Sequence, residues 1–126
     1  MKELRKYYRI KGTPAEIYAA LVNPFAISLW TGAKAQMSEE PGSGFSLFDG
    51  DIEGINIAFE KDSKIIQEWF FGDQPEQSIV SITLRPERYY TQIELHHTNI
   101  PEEAYEDMVH GWDNFYFGGL KDFFEK

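Results

Sequence analysis

Three histidines are the first side chains to test for chemistry. His96 and His97 are adjacent in an alternating stretch, so on a strand they point to opposite faces and cannot share one metal ion. His110 follows Glu106 by one helical turn. That spacing offers one edge of a metal site at most, and a solvated helix face is the plainer account. With no cysteine and no clustered histidines, no zinc site and no other metal is expected. Gly42-Ser43-Gly44 leads into a strand pattern. A phosphate-binding loop needs a helix N-terminus behind it, so this is read as a tight turn. No G-x-S-x-G elbow is present. Glu53, Glu60, Glu68 and Glu94 fall in strand positions that face water, and no spacing marks two of them as an acid–base couple. Glu68, beside Trp69, is the one whose burial and raised pKa would hint at catalysis. The residues therefore predict no catalytic group, no cofactor and a non-enzymatic protein.

The remaining chemistry is aromatic. Rings make up 16% of the chain, enough to build a large core or to line a pocket. Trp30, Phe45, Phe59, Trp69, Phe71, Trp112, Phe115, Tyr116 and Phe123, with Met108, are the candidates for a cavity wall. An empty void of about 300 Å³ would cost about 7 kcal/mol at ~24 cal/mol per Å³. A domain has only roughly 5–15 kcal/mol in total. Any large cavity is thus expected to be occupied, hydrated or mobile, unless the rings fill it.

These side chains need elements to hold them. Pro101 to Lys126 reads as one long amphipathic helix, with Tyr105, Met108, Val109, Trp112, Phe115, Tyr116, Gly119, Leu120 and Phe123 on its apolar face. Pro101 suits the first helical position, and Glu102 and Glu103 complement the positive end of the dipole, as Lys121 and Lys126 do the negative end. Gly111, Gly118 and Gly119 each cost roughly 1 kcal/mol against alanine there, which calls for a close backbone approach or a bend. Phe117 sits off the apolar face and is the candidate for a partner-binding anchor, with Trp30-Thr31-Gly32 a second. So broad an apolar face requires a concave surface.

The rest of the chain supplies one. Leu4–Lys11 reads as a strand. Thr13-Pro14-Ala15-Glu16 is a capping box with proline at the first helical position. That helix turns Ile17, Ala20 and Leu21 inward and stops at Asn23-Pro24. Phe25–Trp30 forms a second short helix ending at Gly32. The period then changes to two: Ala35 and Met37, Phe45–Phe48, the Asp49-Gly50-Asp51 turn, Ile55-Ile57-Phe59, Ile65–Phe71, Val80-Ile82-Leu84, a turn at Pro86-Glu87-Arg88, and Thr91-Ile93-Leu95. Strands joined by short turns predict an antiparallel meander, so the fold class is α+β: a curved sheet of about six strands around a long C-terminal helix, with two short helices after the first strand. Residues 1–126 form one domain on this reading. A net charge of −9 disfavours nucleic acid and anionic lipid as partners. No stretch has the length of a membrane span and no leader pattern opens the chain, so a cytoplasmic protein is expected.

Several stretches carry a resemblance. Thr13-Pro14-Ala15-Glu16-Ile17-Tyr18, then Gly44-Phe45-Ser46-Leu47-Phe48-Asp49-Gly50 with Ile52-Glu53-Gly54, stand in order before Ile65-Ile66-Gln67-Glu68-Trp69 and Ser81-Ile82-Thr83-Leu84. Gly111-Trp112, Tyr116-Phe117 and Leu120-Lys121 come after these, on the last helix. Taken together, the chain resembles the Hsp90 ATPase activator homologue 1 (Aha1) family, specifically its C-terminal domain, within the START and Bet v 1-like helix-grip superfamily. The resemblance implies a helix-grip fold and a co-chaperone-type interaction module with an Hsp90-type chaperone as partner. The superfamily implies an alternative, a small hydrophobic ligand held between sheet and helix.

Overall fold

The computed structural model describes residues 1–125; Lys126, expected at the end of the last helix, lies outside them. Strand β1 (Lys2–Lys11) is followed by helices α1 (Pro14–Val22) and α2 (Pro24–Thr31), then strands β2 (Gly44–Leu47), β3 (Ile52–Glu60), β4 (Lys64–Trp69), β5 (Ser78–Glu87) and β6 (Tyr90–Ile100). One antiparallel sheet orders them β1-β6-β5-β4-β3-β2. The chain closes with a 3₁₀ turn (Glu102–Ala104), helix α3 (Tyr105–Gly111), a π turn (Trp112–Tyr116) and helix α4 (Phe117–Phe124).

Local signals act where the sequence puts them. The Thr13 hydroxyl accepts from the Glu16 amide at 3.1 Å, and the Glu16 carboxylate accepts from the Thr13 amide at 2.9 Å. Asn23 caps α2 by accepting from the Ala26 amide. Gly32 ends α2 in the left-handed conformation at φ 72°. Ala35 and Met37 do not belong to a full strand; Gln36 makes a single bridge to Ser46. Pro86 lies within β5 opposite Thr91, and the reversal falls after it, with Arg88 at φ 56°.

Strand β3 departs from simple alternation. The register slips between Asn56 and Ala58, and this bulge at Ile57 inverts the phase of the strand beyond it. Asn56 is fully buried while Ile55 and Ile57 are exposed, which reverses the expected facing of those two isoleucines. Phe59, beyond the bulge, returns to the inner side and packs against the core.

The last helix also changes phase. A π turn contains an extra residue relative to α-helical winding and advances the buried face by one position. Trp112, Tyr116, Phe117 and Leu120 are buried, whereas Phe115 is 59% exposed and Phe123 39% exposed. Phe117 is therefore not an exposed anchor: at 1% exposure it packs on Tyr8 and Trp112. The predicted shelter of Phe115 and Phe123 fails for the same reason, and Phe124 takes the inward place expected of Phe123, packed against the core. Trp30-Thr31-Gly32 is no open anchor either, because Trp30 is buried and its indole N–H donates to the Ala20 carbonyl at 2.9 Å. Gly119 does meet another backbone closely: a Cβ there would lie 3.1 Å from the Trp30 carbonyl oxygen.

Candidate ligand cleft beneath the C-terminal helix

Strand β4 and the π turn bring two indoles face to face. Trp69 and Trp112 stack with ring centroids 4.7 Å apart and an interplanar angle of 26°. Tyr116 packs on Trp112 at 4.5 Å and on Trp30 at 5.1 Å. The stack continues from Trp112 through Phe117 to Tyr8.

A cleft of about 340 Å³ opens beside these rings, lined by Phe48, Asp51 and Ile52 from the β2–β3 hairpin, Trp69 from β4, and Met108, Gly111, Trp112, Phe115 and Tyr116 from the helix. It is open to solvent, so water can wet it and the cost of a sealed void does not apply. Of the predicted wall residues, the structure brings Trp69, Met108, Trp112, Phe115 and Tyr116 together here. Trp30 and Phe45 are buried core. Phe59 and Phe71 pack against that core, and Phe123 is partly exposed on α4.

Phe48 reaches the cleft by an unusual route. It and Asp49 both adopt positive φ, 53° and 57°, followed by Gly50 at 95°. Left-handed backbone is rare for an aromatic residue. It closes the hairpin so that Phe48 packs edge-on against Trp30 at 6.3 Å.

Behind the cleft wall lies a polar relay that periodicity alone does not reveal. The Trp112 indole N–H donates to Nδ1 of His97 at 3.1 Å, and Nε2 of His97 lies 2.8 Å from the Ser78 hydroxyl. An indole N–H can only donate, so Nδ1 is unprotonated and Nε2–H donates to Ser78. Ser78 in turn donates to the Thr98 carbonyl. Burial, helped by the neighbouring His96, pushes the His97 imidazole down to about 3. A parallel chain starts at Trp69, whose N–H donates to Oε1 of Gln67. Gln67 donates to Asn56, and Asn56 donates to the Ser38 carbonyl and the Ser43 hydroxyl. Among the described residues no buried side-chain nitrogen or oxygen lacks a partner. Both cleft indoles are thus anchored from behind.

The signal for His97 was present: it continues the inward parity of Thr91, Ile93 and Leu95, as Ser78 does that of Val80 and Ile82, and Gln67 that of Ile65 and Trp69. Asn56 had no such signal, because the bulge hides it.

On the other side of the helix, Asp113 accepts from Lys6 at 2.6 Å and from the Tyr8 hydroxyl at 2.8 Å. Burial would raise the Asp113 carboxyl, but hydrogen bonds from Lys6 and Tyr8 outweigh it and hold it below the ordinary range. Burial, with the Asp113 carboxylate beside it, pushes the Tyr8 phenol up. Glu68 lies on the outer face of β4 and accepts from Gln77, away from the cleft. Glu94 bridges Arg5 and Arg85 across the outer face. His96 pairs there with Glu3, and His110 accepts from the Asn114 amide on the helix surface. Among the described residues no three His, Cys, Asp or Glu side chains gather as a metal site, and no helix is long and apolar enough to cross a membrane.

Comparison with known proteins places this geometry. The activator of 90 kDa heat shock protein ATPase homolog from Dictyostelium discoideum is 29% identical over 114 residues, covering 88% of this chain and 30% of the relative. The human activator homolog 1 is 26% identical, covering 89% of this chain and 34% of the relative. The chain thus spans about a third of the length of these curated relatives. An HSP90 activator from Plasmodium falciparum superposes with a TM-score of 0.88 at 22% identity, covering 98% of this chain and 96% of the other. The Aha1 dimer from Colwellia psychrerythraea gives a TM-score of 0.85 at 21% identity, covering 99% and 97%. At these identities the structures show the shared helix-grip fold. The model of the family described as activator of Hsp90 ATPase homolog 1-like protein matches residues 11–125, nearly the whole chain, and the chain belongs to that family.

Proposed function

We propose that this protein is a non-enzymatic interaction module of the co-chaperone type, with an Hsp90-type chaperone as its partner. The family match over residues 11–125 carries this reading. The cleft agrees with it in one respect: Asp51 is the only acidic side chain in its lining, and no lysine, arginine or histidine stands with it to form an acid–base couple. With Phe117 and Trp30 buried, the apolar side chains left for a partner on α2 are Phe25 and Leu29, 66% and 56% exposed and one turn apart. The test is a titration of Hsp90 into isotope-labelled protein, followed by amide shifts and by ATP turnover. The expected result is a localised set of shifts with altered turnover. Unchanged spectra and unchanged turnover would remove the proposal.

A second reading is favoured by the cleft itself. Its volume of about 340 Å³ and its aromatic walls suit a small ligand with an apolar body. Thermal stabilisation by one member of a panel of aromatic and aliphatic compounds would support it. A panel that leaves both melting temperature and cleft resonances untouched would end it.

A further inference from the structure

Gly111 has no conformational reason to be glycine. Its φ is −64°, inside a continuous helix. It has no packing reason either, since a Cβ there would meet nothing within 4 Å. By contrast, a Cβ on Gly118 would come 2.5 Å from the Asp113 carbonyl oxygen. Glycine weakens a helix relative to alanine, yet at 111 its effect is to keep the cleft wall bare.

The second observation is electrostatic. The lining holds one charged side chain, Asp51, among Phe48, Trp69, Trp112, Phe115 and Tyr116. Asp51 is exposed and makes no ion pair among the described residues. Aromatic faces attract cations, most strongly where water is partly excluded. A carboxylate at the mouth and a net charge of −9 act in the same direction. An anionic ligand would face repulsion from the carboxylate and the rings alike.

From these observations we infer that the cleft takes a small organic cation, with an aromatic or alkyl body lying against Trp69, Trp112 and Phe115 and an ammonium group facing Asp51. The inference rests on the ligand-binding reading above and adds the charge of the ligand to it.

Three probes that share a body test it: phenylpropylamine, phenylpropanol and phenylpropanoate, positive, neutral and negative at neutral pH. Each is titrated into the intact protein while the indole N–H resonances of Trp69 and Trp112 and the tryptophan emission are followed. The amine is expected to bind about tenfold more tightly than the alcohol, with the propanoate weakest. Asp51→Asn should narrow the gap between amine and alcohol by weakening the amine alone, leaving the share that the rings supply. Gly111→Leu, which fills open space on a helical backbone, should abolish binding of all three without lowering the melting temperature. Equal affinity of amine and alcohol for the wild type would overturn the cation while leaving a neutral-ligand cleft, and a preference undiminished by Asp51→Asn would overturn the placing of the ammonium group at Asp51. No response to any probe at millimolar concentration would overturn both.

Discussion

Acidification should destabilise this protein through His97 before most of its carboxylates titrate. The imidazole is held at about 3 in the folded chain by burial and by His96, against about 6.5 in an unfolded chain. The depressed value belongs to a base, so the unfolded state binds the proton first. His97 therefore costs nothing well above pH 6.5, and stability falls progressively as the pH drops from there towards 3. Each unit of pH in that window is worth about 1.4 kcal/mol, so going from about pH 7.5 to pH 5 should remove about 2 kcal/mol. The control is His97→Gln, whose amide can accept from Trp112 and donate to Ser78 without titrating. Urea unfolding of wild type, His97→Gln and His96→Gln at both pH values measures the difference. Carboxylates with lowered values, such as Glu94 and Asp113, are common to all three proteins and cancel. The wild type should lose about 2 kcal/mol more than His97→Gln over this interval. Equal losses, or a folded-state His97 that titrates near 6.5 by NMR, would refute the argument that burial keeps this imidazole uncharged.

The π turn sets opposite expectations for two neighbouring rings. Phe117→Ala should cost about 3–5 kcal/mol in chemical denaturation, and Phe115→Ala less than about 1 kcal/mol; similar costs would mean the helix winds without the extra residue. Gly111→Ala should stabilise by up to about 1 kcal/mol, raising the melting temperature by several degrees, and a drop would place hidden contacts at that position. Thr13→Ala should cost about 1 kcal/mol by removing the acceptor for the Glu16 amide, read in the same assay. Tyr8→Phe removes a donor from Asp113, so its carboxyl pKa, followed by NMR, should rise; an unmoved value would show that Lys6 alone sets it.

Sequence periodicity predicted most of this architecture, and its failures have physical causes. Thr13-Pro14-Ala15-Glu16 and Asn23-Pro24 are local chemistry, and the structure uses them as expected. Strand β4 alternates throughout, β5 does so from Ser78 to Leu84 and β6 from Tyr90 to His97, so the inward residues of these stretches were legible by parity. Phase was lost wherever the backbone gained one residue. The bulge at Ile57 and the π turn at Trp112–Tyr116 each shift a pattern that a fixed period reads straight through. The site shows the same division. Trp69, Met108 and Trp112 were apparent as parts of an apolar face, whereas Phe48 and Asp51 come from a hairpin whose left-handed residues no periodicity encodes. His97 was visible on a strand but not as the acceptor for Trp112, because that pairing depends on how the helix lies over the sheet.

The additional residue in Trp112–Tyr116 has a consequence for how the C-terminal segment can vary. It uncouples the rotational settings of the two flanking stretches, so that α3 can face the cleft while α4 seats Leu120 and Phe124 over β1 and α2. Deleting one residue there would restore regular winding and swing α4 by about 100° about its axis, carrying Leu120 outward and bringing polar neighbours in. Point substitutions on either side should be absorbed independently, while a change of length in those five positions should disturb both at once.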